Sequence, residues 1–204
     1  MQQIDIEQGT QEWFHERMGI VTASAMHKVL TNGRGSNESL TRRGYMNQII
    51  GEIMSGEPVE GFSNAYTNRG HLLEPEAREL YEVQTGNEVI ETGFITAEFF
   101  DYKIGYSPDG LIGDNGLIEI KTKTAALQID TLRRKEVPAE YMAQIQTGLL
   151  VTGREWLDYV SFCPCLPLFI KRVFPDKEYT TNILDKCTDF YSELQTVLSE
   201  LKDV

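Results

Sequence analysis

The sequence lacks any apolar run near the ~18 residues that a membrane-spanning helix needs, so a helical membrane protein is excluded. Its N-terminus, Met1-Gln2-Gln3-Ile4-Asp5, has no basic stretch leading into an apolar one, and no secretory signal is expected. Cysteine is scarce. Cys163, Cys165 and Cys187 are too few for a disulfide framework, and the expected location is a reducing cytoplasm. Their C-x-C spacing with one further cysteine does not supply four thiolates to an iron–sulfur cluster. His15, His27 and His71 are too scattered for a zinc site. Internal repeats, low-complexity segments and Pro/Ser-rich linkers are missing as well, so residues 1–204 read as one domain.

Positive charge is also in short supply. The formal net charge is -12, which opposes a nucleic-acid partner if it is spread evenly. It is not spread evenly. Between residues 51 and 100, ten acids face only Arg69 and Arg78. Residues 17–43 carry Arg17, Lys28, Arg34, Arg42 and Arg43 against Glu38, and residues 121–135 carry Lys121, Lys123, Arg133, Arg134 and Lys135 against Asp130. Basic runs are commonly solvated faces, but this distribution allows a positive groove on an acidic protein.

Hydrophobic periodicity predicts helices over 10–18, from Thr22 or Ser24 to Leu30, over 41–54, from Asn64 to Gln84, over 139–152 and over 180–201. Asn32 to Asn37 reads as a loop. Strands are predicted over 88–98, 101–107, 116–123, 157–163 and 168–174, with 101–107 and 116–123 joined through an Asp114-Asn115-Gly116 hairpin. In the last helix, Ile183, Cys187, Phe190, Leu194, Val197 and Leu201 form a seam that suits packing on a sheet. Helices, strands and helices again predict an α/β fold, an α+β mixed sheet flanked by helices.

The chemistry concentrates between Ser107 and Lys121. Glu119 and Lys121, two apart on a strand, project from one face, while Ile118 and Ile120 project from the other. Counting back through the hairpin brings Asp109 within about a residue of Glu119. Two carboxylates and an amine at one sheet edge suit phosphodiester hydrolysis. The carboxylates are hard ligands for Mg²⁺, and the lysine orients or deprotonates water and offsets charge in the transition state. An ionic network of purely structural purpose uses the same three residues.

The wider context separates those readings. Asp109, Glu119 and Lys121, with Pro108, match the PD-(D/E)xK nuclease pattern, and with it a restriction-endonuclease-like core. The run from Trp13 to Ser24, the segment Gly70-His71-Leu72-Leu73-Glu74-Pro75-Glu76-Ala77-Arg78 and the helix Tyr141-Met142-Ala143-Gln144-Ile145-Gln146 resemble motifs of the lambda exonuclease (YqaJ-like viral recombinase) family, in the right order.

The resemblance implies that Glu74, Asp109, Glu119 and the Ile120 carbonyl bind one or two Mg²⁺ or Mn²⁺ ions. It implies that Lys121 and Gln144 position and activate the attacking water, and that Arg17, Thr22, Ser24 and Ser107 surround a 5′-terminal phosphate. Trp13, Lys28, Arg34, Arg42, Arg43 and Lys123 are candidate DNA contacts. Leu127 stands where lambda exonuclease has a further phosphate-binding arginine, and Lys123, Arg133 or Arg134 are the candidate substitutes. Each pick also has a plainer reading: Glu74 as a solvated acid, Gln144 as a core amide, Arg17 paired with Glu12 or Glu16, Trp13 as packing.

The expected activity is a metal-dependent 5′-to-3′ exonuclease on double-stranded DNA, releasing mononucleotides and leaving a 3′ overhang. The implied setting is a phage or prophage protein in a bacterial cytoplasm, a homotrimer ring around DNA, with a single-strand annealing protein as partner. The alternatives are an endonuclease on the same core and a non-catalytic DNA-binding protein.

Overall fold

The computed structural model describes residues 1–33, 39–59 and 65–202, without the side chains of 65–68 and 71. In chain order come β1 (Gln2–Ile4), α1 (Gln11–Arg17), β2 (Val21–Thr22), α2 (Met26–Leu30), α3 (Leu40–Ser55) and α4 (Ala65–Thr85). Strands β3 (Phe94–Phe99), β4 (Tyr102–Tyr106), β5 (Gly110–Ile112) and β6 (Gly116–Thr122) follow. The chain then runs through α5 (Ala125–Arg134), α6 (Met142–Thr152), β7 (Trp156–Phe162), β8 (Phe169–Val173) and α7 (Lys177–Lys202).

Local chemistry sets several boundaries. The Thr10 side chain caps α1 by accepting the Trp13 N–H, and Ser39 does the same for α3 through Arg42. Gly56 ends α3 in the left-handed region, which costs glycine little. Neither Thr22 nor Ser24 caps α2 as expected. A single 3-10 turn, Ala23–Ala25, separates β2 from that short helix, and no side chain caps it.

The strands form two four-stranded sheets, ordered β1-β3-β4-β2 and β5-β6-β7-β8, both mixed, in keeping with the expected α/β fold of mixed sheet and flanking helices. In the first sheet β2 runs parallel to β4; in the second β6 runs parallel to β7. A parallel pair needs a long crossover, and α5 and α6 provide it. Helices flank both sheets. One core joins α2, α3, α6 and α7 to the first sheet and to Leu117 and Tyr159 of the second. The other packs Ala77 and Tyr81 of α4 on Ile118, Ile120 and Val160.

Three sequence expectations need correction. Residues 88–93 are not strand but meet β5 through one bridge, Ile90 to Leu111. The N-terminal segment crosses Gly93 so closely that a Cβ there would lie 2.4 Å from the Ile6 carbonyl. Pro108, which has no N–H for a ladder, lies between β4 and β5, so the hairpin joins β5 to β6. Its positive φ belongs to Gly113 rather than to Asn115. In α7, Leu198 is buried while Leu201 is exposed, so the seam shifts by one residue at its end. The Arg34 position and the predicted helix start at Asn64 lie outside the described residues.

The helices expected from the sequence omit α5, whose inward face is polar. Leu127 and Ile129 are exposed, while Gln128 is fully buried. The Gln128 amide donates to the Ser161 carbonyl at 2.9 Å and the Pro167 carbonyl at 2.8 Å, and accepts from the Ser161 hydroxyl at 2.5 Å. Gln128→Ala strands those groups in a dry site and should lower unfolding stability by about 2 kcal/mol or more. Denaturant unfolding checks this.

Candidate active site

Strand β6 carries the two faces that alternation demands. Ile118 and Ile120 enter the core under α4, whereas Leu117, Glu119 and Lys121 share the opposite face. Glu119 therefore occupies a core-facing position and is only 1% exposed. The ladder pairs Gly110 with Ile118, so Asp109 comes level with Glu119 just beyond the hairpin. There Asp109 Oδ2 accepts the Ile120 N–H at 2.6 Å. A strand residue's N–H and C=O point to the same edge, so the Ile120 carbonyl also faces the Asp109 side.

A buried carboxylate needs compensation, and Glu119 has it on both oxygens. Its Oε1 lies 2.7 Å from Lys121 Nζ and accepts the Gln144 amide at 2.5 Å. Its Oε2 accepts the Tyr106 hydroxyl at 3.1 Å. Burial first, then Glu119 and Asp109, raises the Tyr106 pKa well above the usual phenol range, so Tyr106 remains a donor. Lys121 experiences opposed effects: burial lowers its pKa, but Glu119 and Asp109 overcome that and keep the ammonium charged. Its Nζ also lies 5.5 Å from the centre of the Tyr141 ring.

Asp109 is held well above the usual carboxylate range by burial, then by Glu119 and Glu74, with Lys121 and the Ile120 N–H opposing. Such uncompensated mutual repulsion is what a divalent cation relieves. Asp109, Glu119 and the Ile120 carbonyl are hard oxygen donors of the kind Mg²⁺ takes. Glu74 is nearer to Arg78, which donates to it at 2.8 Å and also engages Glu91. Among the described residues no three His, Cys, Asp or Glu side chains gather closely enough to hold an ion as they stand. The fit is thus to two carboxylates and a carbonyl, with Glu74 at the rim of the same 560 Å³ cavity as Asp109.

Beside this centre lies a second cavity of about 160 Å³, lined by Trp13, Arg17, Thr22, Ser24, Ser107, Tyr106 and Gln144, among others. Trp13 Nε1 and an Arg17 nitrogen both donate to Ser107 Oγ at 3.0 Å. The Arg17 guanidinium lies 3.9 Å from the centre of the Trp13 ring rather than pairing with Glu12 or Glu16. Burial lowers its pKa to about 10, with Tyr45 and Glu52 opposing, so it stays cationic at neutral pH. Thr22 and Ser24 hydroxyls are 3.4 Å apart on the same wall. A buried cation among hydroxyls suits a phosphate-sized anion.

The outlying candidates fare differently. Lys123 is 6% exposed, with Nζ 3.5 Å from Thr131 Oγ1 and 5.0 Å from the centre of the Tyr141 ring, so its side chain is largely covered. Arg42 pairs with Glu193 of α7 at 2.5 Å and serves the packing of α3. Lys28 lies over Tyr45 in a neighbouring 360 Å³ cavity, while Arg43, Arg133, Arg134 and Leu127 are exposed.

Sequence reasoning missed four residues that touch the centre: Gln8, Arg78, Tyr106 and Tyr141. Gln8 lines both cavities and donates to the Pro108 carbonyl at 2.8 Å, across a hundred residues of chain. No local pattern signals that contact. Arg78 and Tyr141 stood inside quoted motifs, and their place in them was the available signal.

Among solved structures, LHK-Exo in complex with dAMP is 37% identical, covering 95% of this chain and 97% of its own, with a TM-score of 0.85. The alkaline exonuclease LHK-Exo from Laribacter hongkongensis gives 36% identity over the same shares, again at 0.85. A phage related exonuclease from Haemophilus somnus 129PT is 17% identical over 89% of this chain and 96% of its own, at a TM-score of 0.67, and shares the fold. Comparison with curated proteins gives no match. The model of the YqaJ-like viral recombinase domain matches residues 12–155. With that span, that structural likeness and a lambda-exonuclease-like PD-(D/E)xK core, the chain belongs to the YqaJ-like viral recombinase family.

Proposed function

We propose that the protein is a Mg²⁺- or Mn²⁺-dependent exonuclease that degrades one strand of duplex DNA from its 5′ end. The product is a 3′ overhang for recombination by strand annealing. One observation carries the reading: the pocket of Arg17, Thr22, Ser24 and Ser107 shares Gln144 and Tyr106 with the carboxylate centre. An anion held there lies beside the hydrolytic groups, so a terminal phosphate sets which linkage is cut. The family membership and the alkaline exonuclease likeness support a DNA exonuclease. A pocket for a terminal phosphate beside the carboxylates favours end-dependent cutting over an endonuclease.

Asp109, Glu119 and the Ile120 carbonyl would hold the divalent cation, with Glu74 joining if it leaves Arg78. When bound, the cation supplies a Lewis acid for the phosphoryl oxygen and lowers the pKa of water. Gln144 and Lys121, both on Glu119 Oε1, orient the attacking water, and the Lys121 charge offsets the negative charge of the transition state. Arg17 and Ser107 hold the end.

A homotrimer ring and a single-strand annealing partner belong to this proposal and rest on the resemblance to lambda exonuclease. Charge lends the ring less support than the sequence suggested, because Lys123 is buried and Arg42 is paired. Among the described residues no helix is long and apolar enough to cross a membrane.

Digestion of linear duplexes with 5′-phosphate or 5′-hydroxyl ends should show faster loss of the phosphorylated strand, and only with divalent metal. A covalently closed circle should survive, and its cleavage would favour an endonuclease. Lys121→Ala should slow hydrolysis by at least about a hundredfold while leaving DNA binding intact. A variant that cuts at the parent rate removes that role. Mg²⁺ added to metal-stripped protein should raise Tm, by the equivalent of about 2.7 kcal/mol at a hundredfold excess over Kd. A scanning calorimetry trace that does not move contradicts the ligand set.

A further inference from the structure

Glu119 Oε1 is filled, since a carboxylate oxygen accepts about two hydrogen bonds and Lys121 and Gln144 supply them. Among the described residues Oε2 has one donor, the Tyr106 hydroxyl, and so one acceptor position to spare. Which way that position points depends on how firmly the carboxylate plane is held. The Tyr106 ring is 1% exposed and sits against α6 where Gly148 leaves room for it. A Cβ on Gly148 would fall 2.8 Å from two ring carbons. Gln144 and Gly148 are four apart and share one helix face. That face therefore donates to one oxygen of Glu119 and seats the ring that donates to the other.

We propose that Tyr106 is a positioning residue for hydrolysis, its phenol clamping Glu119 Oε2 so that the carboxylate keeps one orientation toward the cation. The assignment rests on the nuclease reading above. The clamp also sits at the end of β4, with Ser107 of the phosphate pocket as the next residue, so one backbone segment places both halves of the site. Groups that orient a metal ligand from outside the coordination sphere commonly change metal affinity or activity by about 10–100-fold when lost.

Tyr106→Phe keeps the ring and its seat on Gly148 and removes only the donor. Calorimetric titration with Mn²⁺ in the absence of DNA should show an affinity about tenfold weaker than the parent's. Steady-state hydrolysis of a 5′-phosphorylated duplex should fall at least about tenfold in kcat, with a smaller change in KM for ends because Arg17 and Ser107 are untouched. Equal Mn²⁺ affinity in parent and variant overturns the assignment, as does a loss carried by KM alone. A parent that neither binds Mn²⁺ nor cleaves DNA instead removes the functional reading itself.

Discussion

The structure turns on one buried negative charge. Glu119 lies on the core-facing side of β6, where an ionised carboxylate is costly unless every polar contact is met. Lys121 from its own strand, Gln144 from α6 and Tyr106 from β4 meet it, and each must be placed by a different element. The parallel β6–β7 pair and its α5–α6 crossover bring α6 over β6, and the first sheet brings the end of β4 to the same point. Without that convergence the buried carboxylate oxygens would lack hydrogen-bond partners. With it, the pKa of Asp109 is raised by burial and by its acidic neighbours Glu119 and Glu74.

The same convergence joins two chemical tasks. Residues 106 to 109 run from Tyr106, which donates to Glu119, through Ser107 beside Arg17 and a proline to the second carboxylate. Gln8 pins this segment from the N-terminus by donating to the Pro108 carbonyl. The cavity beside Arg17 and the carboxylate pair thus share a short, braced piece of backbone, and a small displacement there would disturb both. Such bracing is the kind of preorganisation that positioning and electrostatic catalysis require.

A good deal of this site was legible beforehand. Two-residue alternation put Glu119 and Lys121 on one face, and the ladder register of Gly110 with Ile118 agrees with Asp109 lying level with Glu119. The family resemblance pointed to Arg17, Ser24, Ser107 and Gln144, all of which line one cavity. Surface charge was read less well. Lys123 and Arg42 were counted as available cations, but one is covered by Tyr141 and Thr131 and the other is held by Glu193. Charge alone does not say whether a side chain finds a partner. Helix α5 was missed because its buried face is Gln128 and Thr131, which a hydrophobic pattern ranks as solvent-facing.

By itself the chain determined what depends on neighbours in sequence: helix caps at Thr10 and Ser39, the alternation of β6, the turn before Gly116 and the motif spacing. These follow from backbone geometry over a few residues, which composition and order specify directly. Only the tertiary structure decided that the strands divide into two sheets, that Gln8 reaches the Pro108 carbonyl and that Tyr106 reaches Glu119. Those outcomes depend on which distant surfaces pack together, and a single side-chain hydroxyl or a glycine such as Gly148 carries no local mark of the partner it meets.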